Sequence, residues 1–249
     1  MSEILAVDAL YRSYGPVRAL DGVSFRIDRP SVVGVLGPNG AGKTTLFEII
    51  EGLAQPDAGE VRLFGEALGR RYPRRRVGVV LQRESFLEGM TAREYADLFA
   101  TIHRARDGVR RILAEARLDE RGDVPVERLS GGEAQRLYIA AACVHEPEVL
   151  ILDEPTAHLD PAVKRDLGQW IRAMADRRVV LISTHDLHEA EVVCDRAVLM
   201  VKGRVKAQGT IPELLDAVPP EARGGRGLED AFFHFCGLRI GAEGESESV

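Results

Sequence analysis

The sequence predicts an α/β fold: a buried, largely parallel sheet joined to an antiparallel β-rich section and a small helical insert. Three observations predict it. Val32 to Leu36 is apolar apart from one glycine and reads as a buried strand; Gly37, four residues, then Gly42-Lys43-Thr44 follow, and an apolar helical run begins at Leu46. A second apolar run, Val149 to Leu152, ends in Asp153-Glu154. Between these, residues 83–127 carry helical periodicity and no strand pattern.

The remaining elements follow in order. Ile4 to Leu10 reads as a strand, with a turn at Ser13 to Pro16. Val23 to Ile27 alternates and reads as a half-exposed strand. The helix after Lys43 is expected to run to about Leu53, with a turn over Gln55 to Gly59 and a strand over Glu60 to Phe64. Gly69 to Arg76 (GRRYPRRR) is a basic cluster; a solvated loop fits it better than a nucleic-acid or lipid patch, because the cluster is short and the chain acidic. Val77 to Leu81 is a short strand ending at Gln82. Thr91-Ala-Arg-Glu94 is a capping box that starts a helix, whose expected apolar face is Tyr95, Leu98, Phe99 and Ile102. Val109 to Leu118 is another helical run. Leu129-Ser-Gly-Gly-Glu133 opens a helix to about His145. Helix Pro161 to Ala175, strand Arg178 to Ser183 and helix Asp186 to Val193 follow. Strands Ala197 to Val201 and Arg204 to Ala207 flank a Lys202-Gly203 turn. Helices over Thr210 to Ala217 and Leu228 to Cys236 close the ordered chain, and Gly241 to Val249 is expected to be disordered.

Composition narrows the function classes. With 249 residues, 45% hydrophobic and 29% charged, the chain has enough apolar material for a substantial core. A net charge of -6 argues against a whole-chain electrostatic nucleic-acid binder. Cys143, Cys194 and Cys236 have neither metal spacing nor a disulfide framework, which points to a reducing compartment. The first residues lack the layout of a signal peptide, and no apolar run has the length of a membrane span. Work at a membrane would therefore require a partner that crosses it.

The glycine-rich stretch carries chemistry. A polyphosphate needs many donors converging from one side. Gly37, Pro38, Asn39, Gly40, Ala41, Gly42, Lys43, Thr44 and Thr45 match the G-x-x-x-x-G-K-[ST] phosphate loop and its flank, in the required strand–loop–helix setting. Backbone N–H groups and the helix N-terminus would wrap the phosphates, Lys43 would reach the β- and γ-phosphates, and Thr44 would offer its hydroxyl to Mg²⁺. Only four of the 33 basic residues are lysines, so a lysine at 43 points to a need for a compact charge. At the second strand end, Asp153 would hold Mg²⁺ and Glu154 would deprotonate an attacking water. Ser130-x-x-Glu133 is itself a capping box, yet Gly131 and Gly132 within it weaken a helix and make sense where a phosphate approaches the backbone. The residues leave open whether one chain folds the two phosphate ends together or two chains share each nucleotide.

The sequence resembles an ATP-binding cassette (ABC) ATPase over about residues 4–215. GPNGAGKTT at 37–45, Gln82, LSGGE at 129–133, LILDEP at 150–155, TAHLD at 156–160 and STHD at 183–186 carry the resemblance, in the family's order. It implies a P-loop NTPase (RecA-like) core with β subdomain over 1–82 and 128–217, a helical insert over 83–127 and an extension over 218–249. It implies ATP and Mg²⁺ as ligands and a head-to-tail dimer, with each ATP between one phosphate loop and the partner's Ser130, Gly131 and Gly132. By the same resemblance Tyr14 stacks on adenine, Gln82 contacts Mg²⁺ or the water, Asp160 lies across the dimer, and His185 contacts the γ-phosphate and holds Glu154 in register.

Two positions depart from the family's usual pattern. Glu133 replaces a glutamine; its carboxylate would repel a triphosphate, so it is expected to fold back onto the Ser130 amide. His158 stands where a small residue is commoner, which leaves turnover and subunit coupling open. The resemblance implies a transporter's ATPase subunit, peripheral on the inner face of the cell membrane under a separate integral-membrane permease, with a second ATPase subunit as partner (a homodimer) and no nucleic acid. VGVVLQ, MTAREYADLFA and LEDAFFHFCG are similar to type-2 exporters. Phe86, Leu87 and Met90 suit either a permease contact or the core of the insert. The alternative is an ABC-type ATPase without a permease, such as the iron–sulfur assembly type; the scattered cysteines lend it no support.

Overall fold

The computed structural model describes residues 3–69, 72–81 and 89–237. In chain order its elements are β1 (Leu5–Tyr14), β2 (Val17–Ile27), β3 (Ser31–Leu36), α1 (Lys43–Ile50), β4 (Ala58–Leu63), β5 (Glu66–Ala67), β6 (Val77–Val80), α2 (Ala92–His103), α3 (Gly108–Ala116), α4 (Gly131–Ala142), β7 (Val149–Asp153), α5 (Pro161–Met174), β8 (Val179–Thr184), α6 (Leu187–Val193), β9 (Arg196–Val201), β10 (Arg204–Thr210), α7 (Ile211–Asp216) and α8 (Leu228–Cys236).

The larger sheet has six strands in the order β10-β9-β3-β8-β7-β6. All neighbours pair in parallel except β9 and β10. Strands β3, β7 and β8 are buried at every residue, as their unbroken apolar sequences require of strands covered on both faces. The strand period of two divides them between two cores. Val33, Val35, Val149, Ile151, Val179 and Leu181 pack with α1 and the second sheet. Val32, Leu36, Leu150, Leu152, Val180 and Ile182 pack with residues of α2 to α8. The second sheet is antiparallel, in the order β2-β1-β4-β5.

Three expectations shift. Strand β1 runs on to Tyr14, and β2 begins at Val17, six residues before the expected start. The hairpin turns at Gly15, whose φ of +58° permits so tight a reversal. The first half of β2 is held by its antiparallel ladder to β1, with Val17 opposite Tyr14, Leu20 opposite Arg12 and Asp21 opposite Tyr11; Asp21 also pairs with Arg18 at 3.0 Å and with Arg204 at 2.6 Å. Helix α2 has its capping box at Thr91 and Glu94, but its buried face is Ala92, Tyr95, Ala96 and Ala100. Leu98 and Ile102 point outward, at 45% and 63% exposure, because α3 and α4 cover the small-residue side.

Met90 packs against the core, the second of the two readings open to it, and its carbonyl accepts from the Val126 N–H at 2.9 Å. Gln82, Phe86, Leu87 and the tail after Gly237 lie outside the described residues. Of the basic cluster, Arg74 and Arg75 are exposed, and Arg76 lies 3.4 Å over the Phe64 ring and pairs with Glu148 at 2.8 Å. The three cysteines are free thiols. Among the described residues no helix is long and apolar enough to cross a membrane.

Candidate functional site

Strand β3 delivers the chain to Gly37 at the carboxyl edge of the parallel sheet. A Cβ on Gly37 would meet the Met200 carbonyl oxygen at 2.3 Å. One on Gly42, at φ +100°, would meet the Ala19 carbonyl oxygen at 2.3 Å. Backbone from β9 and β2 thus presses on the loop from two sides, and the Gly203 N–H donates to the Ala41 carbonyl at 2.9 Å. Helix α1 starts at Gly42 with no side-chain cap, so the orphan N–H groups of its first turn are left for another acceptor.

Lys43 is only 6% exposed. Its ammonium donates to the carbonyls of Gly37 at 2.8 Å and Pro38 at 3.2 Å. Burial pulls its pKa down, while Glu154 and Asp153 hold it up. Gly37 and Ala41 are buried, Pro38, Gly42 and Thr45 half-buried, and Asn39, Gly40 and Thr44 exposed. Bare amides, glycine-only backbone and a buried ammonium fit a polyphosphate.

Strand β7 lies two positions from β3, the strand that leads into the loop, with β8 between. Asp153 is buried and accepts a hydrogen bond from the Ser183 hydroxyl. Burial raises its pKa, the Ser183 bond opposes this, Glu154 adds to it and Lys43 opposes it. A buried carboxylate whose charge is disfavoured in this way fits a divalent cation, as proposed for Asp153 with Thr44. Ser183 also accepts from the Glu154 N–H at 2.9 Å. One hydroxyl therefore ties the two acidic residues together, through the parallel register that sets Asp153 opposite Ser183. Glu154 leaves the strand at φ +49°. The turn separates it from Asp153, as two different roles require. The Glu154 Oε1 lies 3.4 Å from the His185 Nδ1. His188 is exposed.

The sequence reading placed Ser183 in the STHD run without giving it a role, and it missed Glu51, at the end of α1. Glu51 is 8% exposed, and its Oε1, like the Tyr72 hydroxyl, has no hydrogen-bond partner among the described residues. Burial, then Asp153, then Glu48 push its carboxyl up to about 8. The signal was a charge among apolar neighbours, Ile49-Ile50-Glu51.

The second anion end is α4. Ser130 caps it, and its N–H and hydroxyl both donate to Glu133 Oε2 at 2.9 Å. Glu133 folds back as expected. The two glycines have a packing reason beyond phosphate approach. A Cβ on Gly131 would meet Leu159 Cδ2 at 2.9 Å, and one on Gly132 would meet Val163 Cγ1 at 2.4 Å. The start of α4 thus sits on residues 159–163 of its own chain. No hydrogen bond or ion pair among the described residues joins Ser130–Glu133 to the phosphate loop. Asp160 caps α5 by position, but its carboxylate makes no capping bond. Tyr14 is 45% exposed at the β1–β2 hairpin, with the Arg12 guanidinium 4.8 Å from its ring centre.

Residues 20–157 match the family model described as ABC transporter. The chain is 39% identical over 223 residues to the Nod factor export ATP-binding protein I of Ralstonia nicotianae, covering 85% of this chain and 68% of that one. It is 38% identical to the daunorubicin resistance ATP-binding protein DrrA3 of Streptomyces coeruleorubidus, covering 84% and 69%. A solved ATP-binding subunit of an ABC transporter superposes with a TM-score of 0.80 at 30% identity, covering 93% of this chain and 99% of that one. In fold and in sequence, the chain belongs to the ABC transporter family, as an ATP-binding, ATP-hydrolysing subunit whose relatives are of exporter type.

Proposed function

We propose that this chain is the ATPase of an exporter, working as one half of a head-to-tail homodimer beneath a separate membrane permease, on the inner face of the membrane. The carrying observation is the 3.4 Å approach of His185 to Glu154, at the end of the strand whose Asp153 acts electrostatically on Lys43. A base oriented by a histidine, next to a polyphosphate cradle, suits in-line attack of water on a γ-phosphate.

In this reading the loop 37–45 wraps the phosphates and Lys43 offsets their charge. Thr44, Asp153 and Gln82 would hold Mg²⁺, which would offset negative charge on the phosphate oxygens. Glu154 takes the water's proton, and His185 keeps the carboxylate and the γ-phosphate in register. Tyr14 stacks on adenine. Ser130, Gly131, Gly132 and Asp160 act on the ATP held by the partner subunit. Residues 1–82 and 128–217 form the catalytic body, 83–127 the insert and 218–249 an extension. The names of the relatives support export, and the 45% and 63% exposures of Leu98 and Ile102 support a partner over the insert.

The test is Glu154→Gln, read by steady-state phosphate release. Turnover is expected to fall about 10²–10⁴-fold while ATP binding persists. Unchanged turnover removes Glu154 from the role of base.

A further inference from the structure

The departure at Glu133 has a counterpart that the motif alone does not reveal. Glu133 Oε2 is occupied by the Ser130 N–H and hydroxyl, while Oε1 accepts from Arg121 Nη1 at 2.6 Å. Arg121 ends a single 3₁₀ turn, Asp119–Arg121, that follows α3. Burial pushes the Glu133 carboxyl up, but the Ser130 bonds and Arg121 outweigh it, so the group is held below its ordinary range and ionised. The Ser130 hydroxyl hydrogen is therefore committed to a carboxylate at 2.9 Å. A phosphate approaching Ser130 meets a negative charge one hydrogen bond behind it.

We infer that Arg121 is a positioning residue for the α4 end of the ATP site: it neutralises Glu133 and anchors Oε1, so that the Ser130 hydroxyl can turn to the partner's γ-phosphate without the carboxylate repelling it. The inference rests on the proposed dimer. The arrangement makes it more than a surface ion pair. An exposed pair contributes little to folding, and Arg121 and Glu133 keep 45% and 27% side-chain exposure. The charge that Arg121 cancels, however, is fixed by the capping box at the head of α4 and cannot swing away. In a chain with glutamine at 133 the counter-charge would be unnecessary.

The experiment uses full-length chains carrying Glu154→Gln to block turnover, with MgATP-induced dimerisation measured by analytical ultracentrifugation. Arg121→Ala is expected to weaken the dimer about tenfold, from one uncompensated charge close to a triphosphate. Adding Glu133→Gln to Arg121→Ala restores the parent's dimer, and Arg121→Lys stays near the parent. The Arg121→Ala deficit shrinks between about 0.1 M and about 1 M salt, over which the screening length falls from about 10 Å to about 3 Å. A deficit that survives Glu133→Gln, or that salt leaves unchanged, overturns the inference and makes Arg121 a folding contact. A dimer unaffected by Arg121→Ala overturns the inference alone. No ATP-dependent dimer even in the Glu154→Gln parent overturns the dimer reading and the inference with it.

Discussion

Helices α1 and α4 both begin beside glycines at a site suited to anions, yet their first turns are finished differently. At α1 the cap is Gly42, with no side chain to satisfy the first N–H groups, and a buried Lys43 stands beneath them. At α4 Ser130 and Glu133 close a complete capping box. The first end is an open receptor, ready for an acceptor brought from outside. The second is closed on itself and has to give up a hydrogen bond to receive a ligand. The neighbours differ in kind as well. Gly37 and Gly42 are pressed by backbone carbonyls, whereas Gly131 and Gly132 are pressed by the side chains of Leu159 and Val163. One end is pressed by backbone that the sheet holds; the other rests on side chains, of which Leu159 ends in a flexible tip.

The largest test of this contrast is a pair of alanines. Gly42→Ala places a methyl 2.3 Å from a carbonyl oxygen at φ +100°. Neither can relax without shifting β2, so a loss of roughly 3 kcal/mol or more and abolished ATP binding are expected. Gly131→Ala meets only Leu159 Cδ2 at 2.9 Å, the far end of a flexible side chain. Its stability should change by about 1 kcal/mol or less. Thermal unfolding and nucleotide titration of both variants check this. Equal losses would mean that the two ends are equally rigid, and would break the comparison.

A smaller effect comes from the far end of α1, where Glu51, like Lys43, is buried and feels the charge of Asp153. Its carboxyl is pushed up to about 8 from an ordinary 4.5. The folded protein therefore keeps this proton as pH rises through a range where the unfolded chain has lost it. The associated stability is fully present below about 4.5 and is lost as pH rises through about 8. Glu51→Gln removes the decline, by up to a few kcal/mol. The variant should match the parent at acid pH and melt higher at alkaline pH. Parallel melting curves across the range would show that Glu51 is not held protonated.

Legibility in the sequence follows the same division. The phosphate loop could be read because every residue of it is contiguous and its spacing is set by one ligand. The α4 cap could be read because Ser130 and Glu133 lie three apart. What escaped depends on neighbours distant in the chain. Ser183 bridges Asp153 and Glu154 only through the register of β7 on β8. The outward turn of Leu98 and Ile102 depends on where α3 and α4 pack. The packing of Gly132 on Val163 and the pairing of Glu133 with Arg121 likewise join segments that no local pattern connects. The first half of β2 escaped because its pairing with the end of β1, not an alternating pattern of its own, makes it a strand.

The smallest expected effect lies between the two ends, at His158. Its φ is +64°, and it makes no hydrogen bond among the described residues. On one side the Ala157 N–H donates to the Glu154 carbonyl at 3.2 Å; on the other, Leu159 lies under Gly131. A left-handed backbone costs an L-residue roughly 1–2 kcal/mol, and glycine's extra freedom when unfolded returns about 0.5–1 kcal/mol of that. His158→Gly is therefore expected to stabilise the chain by about 1 kcal/mol or less, raising Tm by roughly 2–4 °C at most for a chain of this size. Lower stability would show that the imidazole makes a contact in the single chain. Higher stability with altered turnover would show that strain at 158 couples Glu154 to the start of α4, so that the rigid end senses the movable one through the backbone between them.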